Sequence, residues 1–486
     1  MSTLENLAFD NTFRQLPQAL YSPVQPTGFE HPFLVSFNEA AAPLIDLDPA
    51  EALRPEFASY FGGQKLLPGS QSLAMKYTGH QFGVYNPDLG DGRGLLLGEV
   101  VNARSERWDL HLKGAGQTPY SRFGDGRAVL RSSIREYLGS EALHHLGIAS
   151  TRALCIVGSD EPVQREKIER GAMILRLADS HIRFGHFEWL YHSKQHGLLK
   201  QLADYVVARH FPEYLGADKP YELFFAEVVR RTARLMAQWQ LVGFAHGVMN
   251  TDNFSITGST FDYGPYGFLD AYEPGFICNH TDQQGRYAWN RQPTVGLWNL
   301  NALAHGLTPL IGHDALVGIL QGYEATLLET YAEGFHRKLG LRETRAEDQA
   351  LTMGLLDLLM KNQVDYTRFF RALSHQPLAQ EASPLRDDFL DRDGFDSWYG
   401  RYRERLLAEN SEDGARQTLM LAANPKYILR NYLAQIAIDK AEAGDYSEVD
   451  RLLRLLRRPF AEQPDMESYA ALPPDWGKHL EISCSS

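Results

Sequence analysis

Two short stretches carry side chains suited to moving a phosphorus group: Phe244-Ala-His-Gly-Val-Met-Asn-Thr-Asp-Asn-Phe254 and Phe261-Asp-Tyr-Gly264. A common phosphoryl-transfer loop reads His-Arg-Asp, then four residues and an Asn, followed by a separate Asp-Phe-Gly whose carboxylate holds metal. His246 and Asn253 keep that spacing, and Asp262 can hold metal, but Val248 stands where the base belongs. Valine cannot accept a proton or orient a hydroxyl. A carboxylate stands instead at Asp252, beside Asn253. The combination predicts retained nucleotide and metal binding with altered transfer chemistry. Asn253 and Asp262 offer hard oxygen ligands of the kind magnesium shares with substrate phosphates. His246 is expected to hold the loop by hydrogen bonding rather than to catalyse, and His280 to be structural, because no Cys or His at metal-ligand spacing accompanies it.

Upstream residues complete a recognisable order. Gly90-Asp-Gly-Arg-Gly94 could let backbone amides approach phosphate, although a tight turn demands glycine for the same steric reason. Lys113 ends a strand-like run and Glu136 falls in a helix-like one; kinases hold a phosphate-binding ammonium with such a pair. Between them lies Gly114-Ala-Gly-Gln-Thr-Pro-Tyr-Ser-Arg-Phe-Gly-Asp-Gly126, too polar for core, where Asp125 and Gly126 could contact a base or ribose. Arg176 and Arg183 could clamp a triphosphate bidentately or form surface salt bridges. Glycine turn, strand lysine, helix glutamate, catalytic loop and metal aspartate in this order are much less expected by chance than any one of them.

The elements that must position these residues follow from the apolar pattern. Strands are expected at 94–101, 108–113, 151–157 and 172–177, and helices at 128–146, 223–241, 315–339, 346–374, 398–407 and 426–443, the last started by Asn424-Pro425. The fold class is therefore α+β: residues 1–70 an extended lead-in packed on the body, 71–220 a small mixed nucleotide-binding lobe, and 221–486 a mostly helical lobe. A chain of 486 residues exceeds the roughly 250–300 that one core serves. Its net charge of −13 argues against nucleic acid or an anionic membrane as partner, and no apolar run reaches the roughly 20 residues of a membrane span. Met1 to Arg14 has no targeting pattern, so a cytoplasmic location is expected. Cys155, Cys278 and Cys484 are too few and too scattered for a disulfide framework; Cys484 is either an inert exposed thiol or one on a mobile tail that can reach another cysteine.

Over nearly its whole length the chain resembles the selenoprotein O family, pseudokinases that act as protein adenylyltransferases. The resemblance rests on Phe9-Asp-Asn-Thr-Phe13, Lys113-Gly-Ala-Gly-Gln-Thr-Pro119, Ser180-His-Ile-Arg-Phe-Gly185, His246-Gly-Val-Met-Asn-Thr-Asp-Asn253, Asn424-Pro-Lys-Tyr427 and Cys484-Ser-Ser486. It implies a bilobal protein-kinase-like fold binding ATP in flipped orientation, so that AMP passes to Ser, Thr or Tyr hydroxyls of protein substrates and pyrophosphate leaves. UMP transfer from UTP is a further expectation. On matching positions it implies that Asp252 is the proton acceptor and that Asn253 and Asp262 bind Mg2+, with Mn2+ as a substitute. Nucleotide contacts fall to Gly90, Gly92, Arg93, Lys113, Asp125, Gly126, Arg176, Arg183 and Asp262, with Glu136 paired to Lys113. It also implies a regulatory disulfide between Cys278 and Cys484 and redox proteins among the partners; sulfur at Cys484, where other members carry selenocysteine, is the weaker nucleophile. The alternative is an inert nucleotide-binding scaffold that regulates a redox partner.

Overall fold

The computed structural model describes residues 1–480 and Ile482. The N-terminal part folds in the order β1 (Tyr21–Pro23), β2 (Phe33–Phe37), α1 (Pro55–Phe61), β3 (Leu73–Met75), β4 (Gly79–Gln81), β5 (Val84–Asn86), β6 (Gly94–Val101), β7 (Arg107–Lys113), β8 (Ala128–Val129), α2 (Leu130–His145), β9 (Arg152–Gln164) and β10 (Ile168–Ala178). Among the described residues one antiparallel sheet runs β1-β3-β6-β7-β10-β9-β2, with β8 also on β10, while β4 and β5 form a separate hairpin. The expected strands all appear. The lead-in does more than pack on the body, since it supplies β1 and β2 at the two edges of the sheet.

Both faces of this sheet are covered, which is why β6 reads as a nearly continuous apolar run. Leu95, Leu97, Leu110, Leu112, Met173 and Leu175 join the outer core with Leu4, Phe57 and Phe61 of the lead-in. The alternate residues Leu96, Ala172 and Ile174 join Ile134 and Leu138 of α2 in the inner core. α2 is enclosed, packing on β9 and β10 and on two C-terminal helices.

The rest is helical, in the order α3 (Phe184–His192), α4 (His196–His210), α5 (Pro220–Val242), α6 (Gln292–Leu307), α7 (His313–Leu339), α8 (Asp348–Lys361), α9 (Tyr366–Leu373), α10 (Arg392–Leu407), α11 (Asp413–Ala423), α12 (Asn431–Glu442) and α13 (Ser447–Leu456). β11 (Phe244–Ala245) and β12 (Gly267–Phe268) pair at the two ends of the segment 246–266, β11 following directly on α5. The outline is the α+β, kinase-like one expected. No helix among the described residues is long and apolar enough to cross a membrane.

Two expected helices are corrected. The run 346–374 splits into α8 and α9 at Gln363, which takes a left-handed φ of 52°. Asp365 caps α9 by accepting from the Arg368 amide at 2.9 Å, and Arg430 grips the same carboxylate at 2.9 Å. Asn424-Pro425 does not start a helix, because the Asn424 side chain is buried and donates to the Lys338 carbonyl at 2.8 Å and the Ser374 hydroxyl at 3.1 Å. The helix begins seven residues later, as α12.

Candidate active site

A cleft of about 850 Å³ opens between the sheet and the helical part. Its floor is a row of alternating charges. Lys113 Nζ, at the end of β7, lies 2.6 Å from Glu136 Oε2 on α2, as the sequence predicts. The other oxygen of Glu136 takes Arg176 of β10, whose guanidinium reaches Asp262 Oδ1 at 2.8 Å. Asp262 Oδ2 pairs with Arg183, which also donates to the Asp252 carbonyl at 2.7 Å. Arg183 is clamped between the Tyr77 and Phe261 rings, 4.6 and 4.5 Å from their centroids. The two arginines that could clamp phosphate or form surface salt bridges both lie on one carboxylate, and both are buried.

This setting moves the titrations. Burial pushes Lys113 down to about 8, with Arg176 and Arg93 acting the same way and Glu136 opposing. Burial alone would raise Asp262, yet Arg183, Arg176 and Lys113 hold it well below the usual carboxylate range, so it is an ionised oxygen donor. It also takes a left-handed φ of 56°, a conformation non-glycine residues adopt mainly where surrounding structure forces it.

The loop 246–253 is set from behind. His246 Nε2 lies 3.0 Å from the Phe261 carbonyl, and its backbone amide donates to Gln292 at 2.9 Å, so the histidine ties the loop by hydrogen bonding, as expected, to the segment that carries Asp262. The Asn253 amide nitrogen is committed to the Val248 carbonyl at 3.0 Å, which leaves its oxygen as the ligand-capable atom. Asp252 is 8% exposed, and its Oδ1 has no hydrogen-bond partner among the described residues. Burial raises its carboxyl to about 7, against the pull of Arg183. Part of that burial comes from β4: a Cβ at Gly79 would lie 2.8 Å from Asp252 Oδ1, so glycine lets the backbone close over the carboxylate.

The mouth is built by the glycine turn and the long insertion. Gly90, Gly92, Arg93, Asp125 and Gly126 all line it. Gly126 has φ 70°, and a Cβ there would fall 2.0 Å from the Gly116 carbonyl, so no other residue fits. Asp125 pairs with Arg165 at 2.8 Å. Arg165, on the β9–β10 turn, was not singled out by sequence because nothing near it suggests a site. Asp91 was passed over inside the glycine turn. It is buried, accepts from the Met75 amide at 3.0 Å and lies 3.9 Å from Arg183. Among the described residues no three His, Cys, Asp or Glu gather as a metal cage; Asn253 and ionised Asp262 instead fit an ion shared with phosphates.

Cys278 lies under the loop, its thiol 3.5 Å from the Ala245 carbonyl, and Asn279 donates to the Gly247 carbonyl at 3.0 Å. His280 is likewise held by backbone, its amide donating to the Ile482 carbonyl at 3.0 Å. Cys484, the other half of the expected disulfide, lies outside the described residues.

Comparison with known proteins shows the family. A family model described as protein adenylyltransferase SelO matches residues 3–457. The chain is 57% identical over 488 residues to protein nucleotidyltransferase YdiU of Myxococcus xanthus, and 56% identical over 487 residues to that of Pseudomonas fluorescens, each covering 100% of both chains. The Yersinia pestis protein of the same name is 55% identical over 478 residues, 98% of each chain.

Proposed function

Because the chain belongs to the SelO family of protein adenylyltransferases, we propose that it transfers AMP from ATP to Ser, Thr or Tyr hydroxyls of proteins and releases pyrophosphate. The observation that carries this reading is Asp252: a buried carboxylate with a free oxygen, poised near neutral pH, in a cleft whose usual base position holds Val248. A general base works best when its pKa lies near the working pH.

In this reading the triphosphate lies along the cation row, with Lys113, Arg93 and Arg176 on the terminal phosphates and the α-phosphorus toward Asp252. The acceptor hydroxyl gives its proton to Asp252 Oδ1 while its oxygen forms the new bond to the α-phosphorus. The α–β phosphoanhydride bond breaks, and pyrophosphate leaves with the bonding electrons. Asp262 and Asn253 would hold Mg2+, or Mn2+ in its place, which when bound neutralises phosphate charge. Arg176 and Arg183, now on Asp262, would exchange that carboxylate for phosphate oxygens of the bound nucleotide. Guanidinium forks suit this exchange, since they bind carboxylate and phosphate with the same geometry. The need for ATP favours the cytoplasm as the working compartment.

Incubation with ATP and acceptor proteins, followed by intact mass measurement, tests the proposal. Adenylyl addition that disappears in Asp252→Ala is expected, and phosphoryl addition alone would refute it. UTP in the same assay tests UMP transfer. Peptide mapping under non-reducing conditions after mild oxidation tests the Cys278 to Cys484 bond, and two separate thiols would count against it.

A further inference from the structure

The acceptor hydroxyl must reach Asp252 Oδ1, and the wall it passes is the β4–β5 hairpin. This hairpin is fastened to the catalytic loop. The His80 amide donates to Thr251 Oγ1 at 2.7 Å, and the Phe82 amide donates to the Tyr287 hydroxyl at 2.9 Å, which in turn donates to Asn250 at 2.7 Å. Its tip is Phe82-Gly83, with φ 50° and 83°. Such a turn favours Asn-Gly, Asp-Gly or Gly-Gly, so phenylalanine sits there against its conformational preference. Its ring is nonetheless 41% exposed, 4.9 Å from the Tyr287 ring. An exposed aromatic in a strained position beside a catalytic loop serves no core.

Arg286 packs on the same tip. Its Cζ lies 4.9 Å from the Trp298 ring centroid, and a Cβ at Gly83 would be 3.1 Å away from it. No carboxylate pairs with this guanidinium among the described residues. A cation oriented by aromatic rings and left without an acid complements an acid on a partner.

We propose that Phe82 and Arg286 form the docking surface for the acceptor, and that it takes an extended segment in which the reactive hydroxyl is flanked by an apolar and an acidic side chain. The inference rests on the adenylyltransferase reading. Extension is required because Asp252 is too deeply buried for a flat protein surface to reach. Arg286 supplies the preference for acid: the net charge of −13 repels an acidic peptide, so a preference for one requires a local cation, and this guanidinium stands at the hairpin tip.

Two threonine peptides of equal length, alike in their apolar residue but carrying either Asp and Glu or Lys beside the threonine, test this. Adenylyl incorporation gives kcat/KM for each at physiological salt. Wild type should favour the acidic peptide by about tenfold, the scale of one good charged contact. Arg286→Glu should reverse the ranking, and Phe82→Ala should raise KM for both peptides with KM for ATP unchanged. If Arg286→Glu does not fold, the wild-type ranking and Phe82→Ala still decide. Equal use of the two peptides, transfer to proteins but to neither peptide, or a Phe82→Ala defect matched by a rise in KM for ATP would each overturn the docking surface. Absence of adenylyl transfer to any acceptor would instead overturn the activity beneath it.

Discussion

Asp252→Asn separates the catalytic role proposed for this residue from its energetic cost. Burial raises the Asp252 carboxyl from 3.8 to about 7. A group whose folded pKa lies above its unfolded value binds more protons when folded, so stability falls as pH rises between the two values. Taking 3.8 and 7, the shift costs the folded state about 2 kcal/mol at pH 5, where folding must protonate the carboxylate, and about 4 kcal/mol at pH 8, where the ionised form stays buried. Asparagine has nearly the same shape and no charge. It introduces an amide that must find partners, an offset of about 1–3 kcal/mol that does not vary with pH. The slope is independent of that offset: the variant should gain about 2–3 kcal/mol on wild type between pH 5 and pH 8. Urea unfolding at several pH values reads it directly from the midpoints, provided the m-values agree. The same variant should lose adenylyl transfer, and wild-type kcat/KM should rise with pH through about 7 as the base ionises. A stability difference flat across this range, or transfer retained in the variant, would refute the assignment of Asp252 as a buried general base.

Three further outcomes are expected. Glu136→Gln leaves Lys113 and Arg176 without their shared carboxylate, and should destabilise by about 3–5 kcal/mol in urea unfolding while raising KM for ATP. Arg183→Lys keeps the charge but cannot span Asp262 and the Asp252 carbonyl from between two rings; a fall in kcat/KM of about a hundredfold, with little change in Tm, is expected from steady-state kinetics and calorimetry. Lys338 is buried over the Phe370 ring at 4.3 Å, and burial pushes its amine down to about 7. Its folded pKa lies below its unfolded one, so its cost is full below pH 7 and shrinks as pH rises toward 10; Lys338→Met should stabilise at pH 7, and this advantage should fade by pH 10 in thermal melts.

Much of the site was legible because its chemistry depends on residue type at fixed spacing. Lys113 and Glu136 read as a pair because a strand lysine and a helix glutamate stand in the order by which kinases hold a phosphate-binding ammonium, and His246 read as a loop anchor. Element types were equally plain where apolar periodicity was long, as in α5 and α7. Periodicity failed where a tertiary contact outweighed it. The 346–374 run has helical spacing throughout, but Arg430, far along the chain, holds Asp365 as a cap and breaks it. Asn424-Pro425 has the composition of a helix start, but the asparagine is spent on Lys338 and Ser374.

What the sequence by itself determined is the kind of chemistry: a carboxylate beside an asparagine, a second carboxylate ahead of a glycine, a row of cations, and no ordinary base. These are properties of atoms a residue carries wherever it lies. What only the tertiary structure decided is the state of those atoms. Asp262 is held ionised because two arginines, one on a strand and one on a loop, converge on it, and the Asp252 carboxyl is raised to about 7 by burial to which β4 contributes. The hairpin beside that carboxylate gave no signal in sequence, because exposure, strain and an unpaired guanidinium exist only once the chain has folded.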